Sequence, residues 1–365
     1  MTRDTRVVTS PLFFVRPGGD GIVGLDGLKG QRYESVSMDA FRLMQLFLEP
    51  KTVAEAVHCG VDDATIQDAL EAGILVDADT AEARAALLWE AHNWSRAAYL
   101  LFSQMDLSYM EFHRSLEYAS LQELTQLRRK VIQAYQKASQ YPPQRSPRGS
   151  CSISLPEPVG ERCVDLDAML RRRSVRSFSG EPVDLRTFGD VLFDATRNYR
   201  AAEATKVGGD PYYLLNSFYS WLRLSVIAQG ITGLERGVYD YDPAAHRLVK
   251  IRGGVEDREI AACIQYQTWI GGAGWCLFVC VHWERYMWIY RHARAYINLL
   301  VQLGEFGLEL LQATYSCGLG AWMTPAVHES RAARLLALDP SEEEAMYFFK
   351  IGPPRLEAGA VNEGL

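Results

Sequence analysis

Apolar residues change their spacing several times along this chain, and each change marks a different kind of element. In MDAFRLMQLFL (38–48) they recur every three or four residues, as on an amphipathic helix, and Ser37 stands ahead of the run as an N-cap. TVAEAV and DDATIQDALEAG predict two more helices, the second ended by Gly73. PLFFV (11–15), YESV (33–36) and ILVDA (74–78) are short runs around glycine-rich turns and predict strands. Strands, three helices and a closing strand describe a winged-helix-like module over residues 1–80. Residues 81–140 read as helical; in SLQELTQLRRKVIQAYQKAS, Leu, Val and Ile share one face and the charges take the other. Proline and serine then interrupt the pattern in YPPQRSPRGSCSISLPEP, so 141–159 reads as a linker or extended arm.

From 160 to 365 helix and strand periods alternate. Asp184 is placed to cap LRTFGDVLFDAT, and PYYLLNSFYSWLRLSVIAQ holds a strand-like core. GLERGVYDYD predicts a turn and a strand, and GWCLFVCVHW a strand buried on both faces. A long apolar helix is predicted over about 293–316, stopped at Gly318-Leu-Gly320, and Tyr347–Ile351 is the last central strand. The class is α+β.

Composition narrows the picture. The 365 residues are 48% hydrophobic and 23% charged, as in ordinary globular proteins. A net charge of −7 argues against a nucleic-acid partner, whose phosphates demand a basic surplus. The most apolar stretch, AGWCLFVCV, is too short to span a membrane, and no signal segment opens the chain, so a cytoplasmic location is expected. Seven cysteines form no C-x-x-C, and seven histidines are dispersed, so no metal site is expected. Cys276 and Cys280, inside the apolar run, read as small core residues.

The chemistry concentrates in RRRSVRSF (171–178). Arg171, Arg172, Arg173 and Arg176 with Ser174 and Ser177 supply the guanidinium forks and hydroxyl donors that a phosphate dianion needs. An arginine triplet also serves as a solvated basic turn. Four phrases in one order carry more weight: RRRSVRSF, GLERGVYDYDPAAHRL, ARAYINLLVQLGEFGLELLQATYSCGLGAW and LLALDPSEEEAMYFFKIGPP. Together they resemble the azoline-dehydrogenase (SagB-type) branch of the nitroreductase-like FMN oxidoreductases over roughly 160–355. The front module resembles the peptide-recognition modules of enzymes that modify ribosomally made peptides.

The resemblance implies a nitroreductase-like fold, a central, mostly antiparallel sheet with flanking helices, behind the winged-helix-like module and the helical segment. It implies an FMN-dependent enzyme oxidising thiazolines or oxazolines in a precursor peptide to azoles. The implied partners are that peptide, held through a leader, a second copy of the chain in a homodimer, and companion biosynthetic enzymes. Arg172, Arg173, Ser174 and Arg176 match the phosphate-binding phrase, and Gly318, Gly320 and Ala321 match the glycine turn beside the flavin ring. Arg355 is either a second phosphate cation or a tail residue.

The chain departs from that branch, which reads Pro-Ser-Gly-Gly where this chain has Leu215-Asn216-Ser217-Phe218; the glycines are gone, and Asn216 and Ser217 can still hydrogen-bond the flavin edge. The branch's Lys-Tyr doublet is absent, which leaves Lys206 and Tyr213 as catalytic candidates. Tyr286, Trp288 and Tyr290, in WERYMWIYRHARAY, read either as core or as the wall of a substrate channel. Two alternatives to azoline oxidation stay open: oxidation or hydroxylation of another side chain such as Trp, and a catalytically lost scaffold that binds the precursor.

Overall fold

Short polar side chains set the helix starts in both halves of the chain. The computed structural model describes residues 3–18, 21–26, 32–33, 36–91, 121–142, 147, 149, 151–158, 169–170, 172–204, 221–291 and 294–355. They fall into two compact units, Met1–His113 and Arg114–Leu365.

The first unit runs β1 (Arg6–Thr9), β2 (Phe13–Gly18), β3 (Gly21–Asp26), β4 (Arg32–Tyr33), α1 (Met38–Leu46), β5 (Lys51–Thr52), α2 (Val53–His58), α3 (Asp63–Glu71), β6 (Leu75–Asp77) and α4 (Ala81–Ala91). Strands order as β5-β1-β6 in one sheet and β2-β3-β4 in another. Ser37 accepts from the Ala40 amide at 3.2 Å and Asp62 from the Thr65 amide at 2.8 Å, while Thr52 and Glu55 form a reciprocal capping box. Val7, Leu43, Phe47, Ile66 and Leu75 close the small core.

In the second unit come α5 (Leu121–Ala138), β7 (Ser152–Ser154), α6 (Leu185–Ala195), α7 (Arg197–Ala204), β8 (Leu222–Gly230), β9 (Gly237–Asp242) and β10 (Arg247–Gly253). They are followed by α8 (Asp257–Cys263), β11 (Gly274–His282), α9 (Trp283–Ile289), α10 (Ala295–Ser316), β12 (Gly320–Thr324), α11 (Glu329–Leu336) and β13 (Glu343–Gly352). Seven strands make one sheet, ordered β12-β13-β11-β8-β9-β10-β7, with every neighbouring pair antiparallel. Its edge strand β7 lies inside the stretch that reads as a linker or extended arm.

Every residue of β11 is buried. Because side chains alternate across a strand, Trp275, Leu277, Val279 and Val281 join one core, shared with Phe188 of α6 and Leu299, Phe306 and Leu310 of α10. Cys276, Phe278 and Cys280 join the other, shared with Ile260 of α8 and Leu336 of α11. Asp184 caps α6 by accepting from the Thr187 amide at 2.8 Å.

Candidate functional site

Residues 172–178 of the arginine phrase adopt no helix or strand beyond a single bridge at Phe178. Three other segments hold it. The Val175 amide donates to the Ala321 carbonyl at 3.0 Å, which seats the phrase on the start of β12. Phe178 bridges Pro354, the Ser179 amide donates to Pro353 at 2.9 Å, and the Arg355 amide donates to the Ser177 carbonyl at 2.9 Å, which ties it to the chain leaving β13. The Tyr315 hydroxyl, near the end of α10, donates to the Arg173 carbonyl at 2.7 Å. Buried Phe178 anchors the whole in the Cys276–Phe278 core.

The two glycines after α10 have different reasons to be glycine. Gly318 (φ +71°) is the left-handed stop of α10, with its amide 3.0 Å from the Tyr315 carbonyl. Gly320 leaves room for Val175: a Cβ there would lie 2.5 Å from Val175 Cγ2. Ala321 follows, buried on β12. From beneath, the Ala273 amide donates to the Ser179 carbonyl at 2.8 Å, and Gly272 (φ +85°) lies so close that a Cβ would come within 2.8 Å of both the Phe178 and Ser179 carbonyls.

Arg173, Ser174, Arg176 and Arg355 are exposed, whereas Arg172 and Ser177 are half-buried. Among the described residues none of these four arginines has a carboxylate within 4.0 Å. Four arginines on segments tied together by backbone hydrogen bonds, with no carboxylate beside them among the described residues and two hydroxyls in the same phrase, offer a donor set that suits a phosphate dianion.

Other predicted residues fall elsewhere. Tyr286 is buried, packed edge-on against Trp221 at 5.7 Å, and its hydroxyl donates to the Ala295 carbonyl at 2.6 Å. Burial raises the pKa of that hydroxyl. Tyr290 leans on Tyr286 at 4.9 Å. Trp288 packs edge-on against Tyr135 and Tyr141, and its indole N–H donates to Ser139 Oγ at 2.9 Å. Each of the three rings has a protein side chain against it. Lys206, Tyr213, Asn216, Ser217 and Arg171 lie outside the described residues.

Cys276 and Cys280 are fully buried, and burial pushes both thiols up to about 12, so neither is a nucleophile at neutral pH. Among the described residues no cluster of His, Cys, Asp or Glu is placed to hold a metal ion, and no helix is long and apolar enough to cross a membrane.

A cavity of about 290 Å³ opens at the opposite end of the sheet, where β8 begins and β9 and β11 end. Its wall includes an ion triad, Arg223 with Asp240 and with Glu343 (2.6 Å), together with His282 and Arg285. Burial pulls the Arg223 pKa down, but Asp240 and Glu343 outweigh it and leave the group raised. This opening is remote from the arginine phrase, and its Arg223 and Arg247 are already matched by carboxylates. The phrase, with none among the described residues, is the better candidate for an anion site. In the first unit a groove of about 670 Å³ runs between α1 and α3, lined by Leu43, Leu46, Ala69 and Ile74 with Asp39 and Asp68 at its margins.

The sequence reading missed Val175, Gly272 and the ion triad, whose partners are distant in sequence. It also passed over Lys350, the lone charge in the apolar run AMYFFKIG, which was a visible signal.

Comparison with known proteins gives one family match: the pattern described as "Nitroreductase family" covers residues 169–352. The trifolitoxin operon protein TfxC of Rhizobium leguminosarum bv. trifolii is 26% identical over 323 residues, which is 82% of this chain and 85% of that one. The trifolitoxin-processing protein TfxB of the same organism is 30% identical over 129 residues, covering 34% of this chain and 35% of that one. A structure of the E. coli microcin synthetase McbBCD complex with truncated pro-MccB17 bound aligns at 15% identity and TM-score 0.40, covering 66% of this chain and 99% of that chain.

Proposed function

The chain belongs to the nitroreductase family, whose cofactor is FMN, and from that premise we propose that it oxidises a residue of a ribosomally made precursor peptide. The observation that carries the cofactor site is the meeting of Arg172–Ser177, Gly320–Ala321 and Arg355, with no carboxylate beside the four arginines among the described residues. Arg172, Arg173, Arg176, Arg355 and the hydroxyls of Ser174 and Ser177 would hold the FMN phosphate. The Gly318–Ala321 backbone would lie beside the ring. Bound there, the flavin supplies a two-electron acceptor; the protein's share is to hold the substrate carbon and to handle the partner proton. Lys206 and Tyr213 remain the candidates for that proton, and Asn216 and Ser217 for the flavin edge.

The peptide part of the proposal is supported by the likeness to TfxC, which extends over most of both chains, and by the partial likeness to the trifolitoxin-processing protein TfxB. Azoline-to-azole dehydrogenation is the proposed reaction, read as the loss of two hydrogens per ring in the precursor's mass. The winged-helix-like module would hold the leader, with the groove between α1 and α3 as a hydrophobic seat. A second copy would cover Leu300, Val301 and Leu308, exposed on α10. Companion enzymes that build the azoline and a cytoplasmic location belong to the same reading.

Arg172→Ala tests the cofactor site. It should weaken FMN by about 2–3 kcal/mol, the scale of a lost charge-assisted hydrogen bond, in a fluorescence titration of flavin-free protein. Equal affinity in variant and parent would overturn it. For the leader, removing residues 1–80 should spare turnover of a leaderless fragment and sharply slow that of the full precursor; unchanged precursor kinetics would remove leader recognition from the proposal.

A further inference from the structure

Lys350 is fully buried on β13, between Cys276 of β11 and Trp322 of β12, where the strand faces an otherwise apolar core. A buried lysine is costly unless every donor is used. Here Nζ donates to Gln229 Oε1 at 2.7 Å, to the Ala273 carbonyl at 3.0 Å and, more weakly, to the Gly272 carbonyl at 3.4 Å. Three acceptors match the three donors of an ammonium. Among the described residues no carboxylate touches it: the nearest acid in the network, Asp257, is reached through Gln229, whose amide donates to Asp257 Oδ1 at 2.8 Å. The ammonium also lies 5.2 Å from the centre of the Phe178 ring.

These contacts lead to one place. Gly272 and Ala273 are the two residues on which Phe178 and Ser179 rest, through the Ala273 amide bond to Ser179 and the close approach at Gly272. An apolar residue at 350 would leave two buried carbonyls and a glutamine oxygen without this donor. The simplest core design would avoid a charge here altogether, and hydrophobic side chains surround the position on both neighbouring strands.

We propose that Lys350 is a positioning residue for the arginine phrase: its ammonium fastens the Gly272–Ala273 turn to β13, and that turn fixes where Arg176 and Ser177 present their donors. This rests on reading the phrase as the FMN phosphate site. Lys350 touches no ligand itself; its effect passes through the turn. Burial lowers its pKa, against the opposing influence of Cys276 and Asp257, and the three oxygens around Nζ favour the charged form.

The test uses the full chain freed of flavin and titrated with FMN and with riboflavin, which lacks the phosphate. Lys350→Met keeps a similar apolar length and removes the donors; Lys350→Gln keeps an amide donor group on a shorter side chain and removes the charge. The expected result for Lys350→Met is FMN affinity lower by on the order of tenfold, the weight of one charged hydrogen bond, with riboflavin affinity held within about twofold. Lys350→Gln should recover part of the FMN affinity. A general loosening of the fold would weaken both ligands together, so an unchanged FMN-to-riboflavin ratio in whichever variant folds overturns the proposal. Failure of both variants to fold makes Lys350 a purely structural ion and overturns it too. A parent that binds riboflavin as tightly as FMN refutes the phosphate reading instead, and is seen before any variant is made.

Discussion

Alanine at position 320 puts the seat of the arginine phrase under direct strain. The added Cβ lands 2.5 Å from Val175 Cγ2 and 3.0 Å from Val175 Cβ. Carbon atoms rest comfortably at about 3.5–4.0 Å, so Val175 must retreat by about 1 Å. The hydrogen bond from its amide to the Ala321 carbonyl, 3.0 Å in the parent, cannot survive that retreat. Overpacking costs about 1–3 kcal/mol, and a lost backbone hydrogen bond about 0.5–1.5. Both arise from one displacement, so the combined cost is taken as about 2 kcal/mol. For a unit of this size that lowers Tm by roughly 4–8 °C. Gly320 does not have positive φ, so alanine brings no backbone strain of its own. Thermal unfolding followed by circular dichroism gives the stability, and an FMN titration reads the phrase's position. Val175→Ala added to Gly320→Ala should restore most of both, because it removes the carbon in the way. Parental Tm and FMN affinity in Gly320→Ala, or no rescue by Val175→Ala, would refute the packing argument.

The other predictions reach the rest of the second unit. Asp240→Asn strips the half-buried Arg223 of one counter-charge and should cost about 3 kcal/mol in urea unfolding; a loss below about 1 kcal/mol would show that water screens the triad. Trp288→Ala removes the ring that holds Tyr135, Tyr141 and Ser139, and should cost about 3–5 kcal/mol while opening α5 to protease; a variant as resistant as the parent would contradict that packing. At Asp184 the Thr187 side chain and amide hold the carboxyl below the ordinary 3.8. A depressed folded-state pKa stabilises fully above the unfolded value and fades as pH falls through the folded one. Asp184→Ala should therefore cost about 1 kcal/mol at neutral pH, with the gap to the parent narrowing below pH 3.8; a gap constant into acid would exclude the cap.

What the chain's order of residues determined by itself is everything settled within a few residues. Ser37 and Asp184 cap helices because a short oxygen reaches an amide three positions on. GWCLFVCV forms a buried strand because every residue of it is small or apolar enough to lie under a core on either face, and α10 stops at Gly318 because a left-handed residue ends it there. The arginine phrase was legible for a similar reason: four cations and two hydroxyls in eight residues carry their chemistry in composition. The tertiary structure alone decided what the phrase rests on. Val175 meets Gly320, Ser177 meets Arg355 and Ser179 meets Ala273 only because β11, β12 and β13 bring residues far apart in sequence to one end of the sheet. It also decided which partners the aromatic run takes, since a tyrosine or tryptophan has the same spacing whether its ring faces a ligand or, as at Tyr286 and Trp288, the protein's own side chains. Lys350 shows the division most clearly. Its oddness was written in the sequence, but the oxygens that make a buried ammonium tolerable come from Gln229, Gly272 and Ala273, and only the folded sheet puts them within its reach.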